Sequence, residues 1–254
     1  MPGSGELGGK AIKALYLLHP ALGIPRGKSK GVGDVVVAEE GEIFDIELEE
    51  SLLEANRRLA EQNRALLDRH GVRAIDVMGS VGAGKTSLIS CLVERLKDRY
   101  RVAYVAGDLT TTIDADAIAR HGVPVVQINT GKECHLDANL VAKALRRLDL
   151  ASLDLLFIEN VGNLICPAEF PLGAHQRVVV VSVAEGPYVV VKHPYIFMEA
   201  DLAVVNKVDL APAMGVDVGK LEADIRAVNP AIKVVRTCCR TGEGVEEVVK
   251  ALGL

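Results

Sequence analysis

The chain has no tryptophan, and five tyrosines and four phenylalanines are the only aromatics in its 254 residues. Its 49% hydrophobic content is therefore almost wholly aliphatic, yet large enough for a core, which excludes global disorder. It has no run of about 18 apolar residues, so no membrane-spanning helix is expected. It has no excess of basic charge: 29 Lys and Arg against 34 Asp and Glu leave a net charge of −5. That removes the overall electrostatic case for a nucleic-acid partner. Nor is there an even cysteine framework. Cys91, Cys134, Cys166, Cys238 and Cys239 are an odd number spread along a mid-sized chain, the pattern of reduced thiols in a cytoplasmic protein. The length suits one domain with an extension, or two small domains.

The beginning of the chain differs from the rest. Residues 7–33 carry Lys10, Lys13, Arg26, Lys28 and Lys30 and no acid, with glycine-rich stretches around the apolar patch Ala14 to Leu18. His19-Pro20 interrupts that patch and no clean cleavage site follows, so residues 1–44 are expected to be a mobile basic tail rather than a secretory signal. From Gly31 to Asn56 the balance inverts to nine acids with no Lys or Arg. Leu48, Leu52, Ala55, Leu59 and Leu66 form a stripe at helical spacing, and Gly71 offers a C-terminal stop. This predicts an amphipathic helix, its acids facing the positive end of the helix dipole, packed on the domain that follows.

After Gly71, strand-like runs recur at Ala74–Met78, Val102–Ala106, Val123–Ile128, Leu155–Ile158, Val178–Val183, Leu202–Val205 and Val234–Arg236, with helix-like stretches between most of them. Near-continuous Val, Ile and Leu is the composition of strands buried on both faces of a parallel sheet. The fold class is α/β, a doubly wound, mostly parallel sheet, with the domain expected over residues 45–254.

Directly after the first strand, Gly79-Ser80-Val81-Gly82-Ala83-Gly84-Lys85-Thr86 fits G-x-x-x-x-G-K-[ST] in full, and helix-forming sequence from Ser87 to Lys97 follows. Glycines let backbone N–H groups converge on phosphate oxygens, and the helix N-terminus adds its positive end. Lys85 is placed to reach the β- and γ-phosphates and the Thr86 hydroxyl to ligate Mg²⁺; Ser87 completes the loop. The plainer explanation, a Gly-rich turn with a chance lysine, does not account for the strand–loop–helix context. The chain is expected to be a P-loop nucleotide hydrolase.

Asn206-Lys207-Val208-Asp209 follows the sixth run and matches the N-K-x-D element of guanine-specific P-loop proteins. The Asp209 carboxylate can accept from guanine N1–H and the 2-amino group; adenine offers neither and would leave it desolvated and unpaired. Cys238 and Cys239 follow the last strand, where a loop contacting the base through its backbone is expected. Asp108 ends the second strand, and Asp114 lies in a Thr-rich stretch that can order around Mg²⁺ and the γ-phosphate. Glu159 ends the fourth strand, the place of a Walker B carboxylate. Thr86 and Asp108 are the first choices for Mg²⁺, with Asp114 orienting metal or water. No glutamine is placed like that of fast signalling GTPases, so slow turnover is expected.

Cys134 and His135 are adjacent, before a helix-like segment, and Cys166 lies 32 residues on in the stretch after Glu159. Thiolate and imidazole suit Ni²⁺ or Zn²⁺ rather than Mg²⁺, and a helix N-terminus favours thiolate. No short C-x-x-C or H-x-x-x-H spacing joins the three, so spacing alone leaves a buried structural cysteine as an open alternative. Cys91 reads as core. His19, His70, His121, His175 and His193 show no ligand spacing.

These motifs together resemble the HypB family, SIMIBI-class GTPases that insert nickel into NiFe hydrogenase. The resemblance runs from about Asp45 to Leu254. It rests on Gly79–Thr86, on Asn129-Thr130-Gly131-Lys132-Glu133-Cys134-His135-Leu136-Asp137, on Glu159–Pro167 and on Asn206–Asp209. It implies that Cys134, His135 and Cys166 carry a nickel or zinc site at a GTP-dependent homodimer interface. It further implies a partner nickel accessory protein and delivery of Ni²⁺ to the hydrogenase large subunit. Two departures stand out. Residues 1–44 hold no Cys and one His, so the Cys-rich or His-rich nickel-storing N-terminus of many members is not expected. The guanine-loop element, Ser/Thr-Ala-Lys in relatives, reads Cys238-Cys239-Arg240 here. The similar urease accessory GTPases carry a Cys-Pro-His triplet, whereas Cys166-Pro167 precedes Ala168. Chaperones of cobalamin-dependent mutases have no role for the Cys-His pair. ParA/MinD-type ATPases carry a lysine where Ser80 stands and lack N-K-x-D. A regulatory GTPase switch with purely structural cysteines is the alternative from another functional class.

Overall fold

The computed structural model describes residues 46–109, 111–131 and 133–254, with side chains from residue 51 onward. The tail expected over residues 1–44 lies outside the described residues. Helix α1 (Ile46–His70) leads into strand β1 (Arg73–Gly79), and the helix ends one residue before the glycine expected to stop it. Its helical period follows the expectation, but its buried face does not. Leu52 is 57% exposed and Ala55 is exposed, while Asn56, Ala60, Asn63 and Leu67 are buried. The reason is polar. Asn63 Nδ2 donates to the carbonyls of Ala138 (2.8 Å) and Leu172 (3.1 Å), and Asn56 donates to Pro171 and accepts from the Ala138 amide. Arg64 adds bonds to the Gly173 and Ala174 carbonyls. Buried Leu67 and Ala60 pack this helix, and its asparagines and Arg64 also satisfy backbone groups of neighbouring segments, which a hydrophobic stripe cannot reveal.

The remaining elements follow in order: α2 (Lys85–Leu96), β2 (Val102–Asp108), α3 (Ile113–Ala119), β3 (Val125–Asn129), α4 (Ala138–Leu145), β4 (Leu155–Glu159) and α5 (Cys166–Glu169). Then come β5 (Gln176–Ser182), α6 (Val189–Lys192), α7 (Pro194–Met198), β6 (Leu202–Asn206), α8 (Ala211–Met214), α9 (Val218–Val228), β7 (Lys233–Arg236) and α10 (Val245–Leu252). All seven expected strands are present. β3 starts two residues late because Pro124 has no N–H to donate, although its carbonyl accepts from Tyr104.

The strands form one sheet in the order β3-β2-β4-β1-β5-β6-β7, every pair parallel. β1 lies at the centre, between β4 and β5, where successive connections leave in opposite directions. Ligands of such sheets bind at this switch point, beyond the carboxyl ends of the strands. Alternating residues divide into two cores. Ile75, Val77, Tyr104 and Phe157 pack with Leu88, Leu92 and Val248 on one face; Ala74, Ala103, Val105 and Leu156 pack with Leu67 and Leu145 on the other.

Candidate functional site

The phosphate cradle joins β1 to α2 at the sheet centre. Gly84 takes φ +102°, and a Cβ there would meet Asn206 Nδ2 at 2.2 Å, so strain and space both require glycine. Asn206 is buried, and its amide is spent on internal bonds. Nδ2 donates to the Ala83 carbonyl (2.9 Å), while Oδ1 accepts from Thr237 Oγ1 (3.1 Å) and the Cys239 amide (3.3 Å). It braces the cradle against the loop after β7. Lys207, at φ +61°, is the one non-glycine with positive φ among the described residues, and its Nζ donates to the Gly82 carbonyl (2.7 Å). A bond from Cys238, and then the ion pair with Arg240 (3.0 Å), hold the Asp209 carboxyl below its usual range. Asn206, Lys207, Asp209, Cys238, Cys239 and Arg240 line a cavity of about 510 Å³, so the substituted guanine loop still reaches the base motif.

An adjoining cavity of about 410 Å³ is lined by the cradle together with Asp108, Asp114 and Glu159. Thr86 Oγ1 lies 2.8 Å from Asp114 Oδ1 and 2.9 Å from Glu159 Oε1. The acids in direct contact with Thr86 are therefore Asp114 and Glu159. Asp108, the carboxylate expected beside Thr86, lines the same cavity and accepts from the Thr111 amide (2.8 Å). Glu159 Oε2 accepts from the buried Tyr104 hydroxyl (2.6 Å). Burial pushes Glu159 up to about 7, against the pull of Lys85 and of the Tyr104 bond. Burial also lowers Lys85, whose Nζ donates to the Ser80 carbonyl (3.1 Å) while Glu159 pulls it back up. Tyr104 carries no functional signal in the sequence, because an aromatic in a strand has the pattern of core.

The soft ligands meet on the same edge. One donor atom each from Cys134, His135 and Cys166 lie within 4.8 Å of one another, with 3.1 Å between the two sulfurs. Donors bonded to one tetrahedral ion lie about 3.3–3.8 Å apart, so small adjustments bring all three to a single metal. Phe170 packs against the His135 ring at 4.0 Å, and burial lowers that imidazole's pKa, favouring the neutral form that ligates. The thiolate argument from a helix terminus fails at Cys134, which lies outside α4, and is outweighed at Cys166, the first residue of the four-residue α5. Asp137, not Cys134, caps α4, and burial together with the neighbouring Cys134 thiol pushes Cys166 up.

Asn163 joins the two sites. Its amide donates to the Gly79 carbonyl (3.0 Å), its Nδ2 to the Cys134 carbonyl (3.3 Å), and its Oδ1 accepts from the Ile165 amide, one residue before Cys166. Beside it, a Cβ on Gly162 would lie 2.4 Å from Val81 Cγ2. The metal loop is packed directly on the phosphate loop.

A family described as CobW/HypB/UreG, nucleotide-binding domain, matches residues 73–236. The probable hydrogenase maturation factor HypB of Methanocaldococcus jannaschii is 52% identical over 205 residues, covering 81% of this chain and 93% of the relative. The chain belongs to the HypB family. The crystal structure of HypB from Archaeoglobus fulgidus superposes with a TM-score of 0.74 at 46% identity, covering 79% of this chain and 98% of that one. HypB from Helicobacter pylori, solved in complex with nickel, gives a TM-score of 0.74 at 33% identity, covering 78% and 93%. HypB membership makes this a P-loop GTPase domain, as its motifs predicted, and favours the hydrogenase branch over the urease accessory branch of the same family. No helix among the described residues is long and apolar enough to cross a membrane.

Proposed function

We propose that this chain is a GTP-hydrolysing metallochaperone that binds nickel at Cys134, His135 and Cys166 and hands it on during maturation of NiFe hydrogenase. The observation that carries this reading is the three-ligand cluster tied through Asn163 to the phosphate loop. Asp209 reads guanine, the backbone of Gly79–Thr86 and Ser87 holds the phosphates, and Lys85 neutralises the β- and γ-oxygens. Water attacks the γ-phosphorus, the bond to the β-phosphate oxygen breaks, and GDP and phosphate leave. Thr86, Asp114, Glu159 and Asp108 supply the all-oxygen set that Mg²⁺ prefers. When bound, Mg²⁺ supplies positive charge at the phosphate oxygens. Asp114 orients metal or water.

Nickel is the cargo. The nucleotide state sets the position of the cradle, Asn163 passes this to Cys166, and metal affinity follows by linkage. Three protein ligands leave a position open for transfer to a partner nickel accessory protein and then to the hydrogenase large subunit. Zn²⁺ fits the same ligands. Val81, Ile165 and Tyr188 are 82%, 59% and 61% exposed around one cavity beside the metal loop, which supports a GTP-dependent homodimer meeting on this face. The cytoplasm, with its reduced thiols, is the fitting compartment.

Titration with Ni²⁺ in the presence of GDP and of a non-hydrolysable GTP analogue tests the reading. Affinity is expected to differ between the two states, and Cys166→Ser is expected to abolish binding while leaving GTP hydrolysis largely intact. Equal binding in both states, unchanged in Cys166→Ser, would sink it and leave a regulatory GTPase with structural cysteines.

A further inference from the structure

The middle of the sheet holds a buried charge pair that neither the phosphate chemistry nor the metal cluster uses. Strand register sets Asp76 of β1 beside Arg177 of β5, and Asp76 is fully buried. Asp76 Oδ2 and Arg177 Nε lie 3.7 Å apart, and neither atom has a hydrogen-bond partner among the described residues. Such a pair is costly to bury and adds little stability that apolar side chains could not supply. What sets it apart is where its other bonds lead. Arg177 Nη2 donates to the carbonyls of Pro167 and Ala168, and Nη1 to that of Ala168 (3.2 Å), the two residues that follow Cys166 in α5. On the other side, Asp76 Oδ1 accepts from Asn160 Nδ2 (3.3 Å), and Asn160 Oδ1 accepts from the amide of Leu136 (3.0 Å), the residue after His135. Asn160 and Leu136 are both buried.

We propose that Arg177 and Asp76 are positioning residues for the metal cluster: their pairing holds the segment carrying Cys166 in register with the segment carrying Cys134 and His135. A guanidinium suits this task, because its planar fork can satisfy carbonyls along one edge while another edge faces a carboxylate. The carbonyls come from α5, a four-residue helix too short to bond them internally. Asn160 extends the reach of Asp76 to the Leu136 amide, which stands before α4 and outside its ladder. Metal ligands are oriented by the groups bonded behind them, and here the groups behind both ligand segments converge on one ion pair. Buried between strands, that pair is little screened by salt. The effect on metal rests on reading Cys134, His135 and Cys166 as the nickel site; the alignment of the two segments does not.

The test compares the full chain with Arg177→Gln, Arg177→Lys and the double variant Asp76→Asn/Arg177→Gln. The double variant leaves no charge buried alone, and so carries the test if Arg177→Gln loses its fold. Each protein is titrated with Ni²⁺, following the sulfur-to-nickel charge-transfer absorption, and with a fluorescent GDP. Each is also treated with dibromobimane, which bridges neighbouring thiols, and its peptides are mapped for a Cys134–Cys166 link. Arg177→Gln and the double variant are expected to bind Ni²⁺ roughly ten- to a hundredfold more weakly, with a changed absorption band, a lower yield of the link and unchanged GDP affinity. Arg177→Lys keeps the charge without the fork and should recover only part of the loss. Parental nickel affinity and link yield in Arg177→Gln and in the double variant would overturn the proposal. So would GDP affinity that falls in step with nickel affinity, since the pair would then be a general element of the core. A parent that binds no Ni²⁺ would strike the nickel reading alone, and the yield of the link would still decide the alignment.

Discussion

Glu159 is held by two hydroxyls, from Thr86 and Tyr104, in a buried setting that keeps its carboxyl protonated up to about pH 7. Asp76, fully buried in β1 beside Arg177 (3.7 Å), is likewise raised by burial, to about 6. In both cases the folded chain keeps a proton that the unfolded chain releases near its ordinary carboxylate pKa. The unfolded state therefore binds fewer protons between about pH 4 and 7, and stability falls as pH rises through that window. Thermal unfolding of the nucleotide-free protein should show its midpoint dropping from pH 5 to pH 8. Glu159→Gln should remove the larger part of the slope, on the order of 3 kcal/mol across the window. A variant whose midpoint kept the full slope would show that Glu159 ionises normally in the fold.

At the scale of elements, the phosphate loop and the metal loop are separate stretches of chain packed backbone to backbone. At Gly162 the approach is close, with Val81 N only 2.9 Å from where a Cβ would stand. Gly162→Ala must push the two loops apart. GTP binding should weaken, and the difference in Ni²⁺ affinity between nucleotide states should collapse, while Ni²⁺ affinity without nucleotide changes by a few-fold at most. Nickel titrations of the variant in each state measure this; an undiminished nucleotide dependence would remove the contact from the coupling path. Helix α1 marks where pattern reading fails at this scale. Its 3.6-residue period was legible, but Asn56 and Asn63 turn inward because backbone carbonyls at Ala138, Pro171 and Leu172 wait there. Nothing near the helix in sequence signals those acceptors.

For the whole molecule, the phosphate cradle and the Cys134, His135 and Cys166 cluster share one edge of the sheet, and that edge also exposes Val81, Ile165 and Tyr188. Apolar exposure of this kind beside a switch is suited to association controlled by nucleotide. Tyr188→Asp should reduce dimer formation in the presence of a GTP analogue, as read by sedimentation. Tyr188 makes no contact with the phosphate cavity, so nucleotide binding to the monomer should persist. A variant that dimerises as well as the parent would move the interface elsewhere.

The sequence by itself determined the seven strands, the phosphate loop and the base motif, because each is a contiguous signal. Buried parallel strands need unbroken β-branched runs, and a phosphate cradle needs glycines, lysine and a hydroxyl within eight residues. Only the tertiary structure decided which acids meet Thr86: Asp114 and Glu159, 28 and 73 residues away. It also decided that Cys166 comes within 3.1 Å of Cys134, and that Asn206 braces rather than merely recognises. Contacts of this kind join residues far apart in the chain, and their geometry is set by strand order and packing, which no local pattern of residue types encodes.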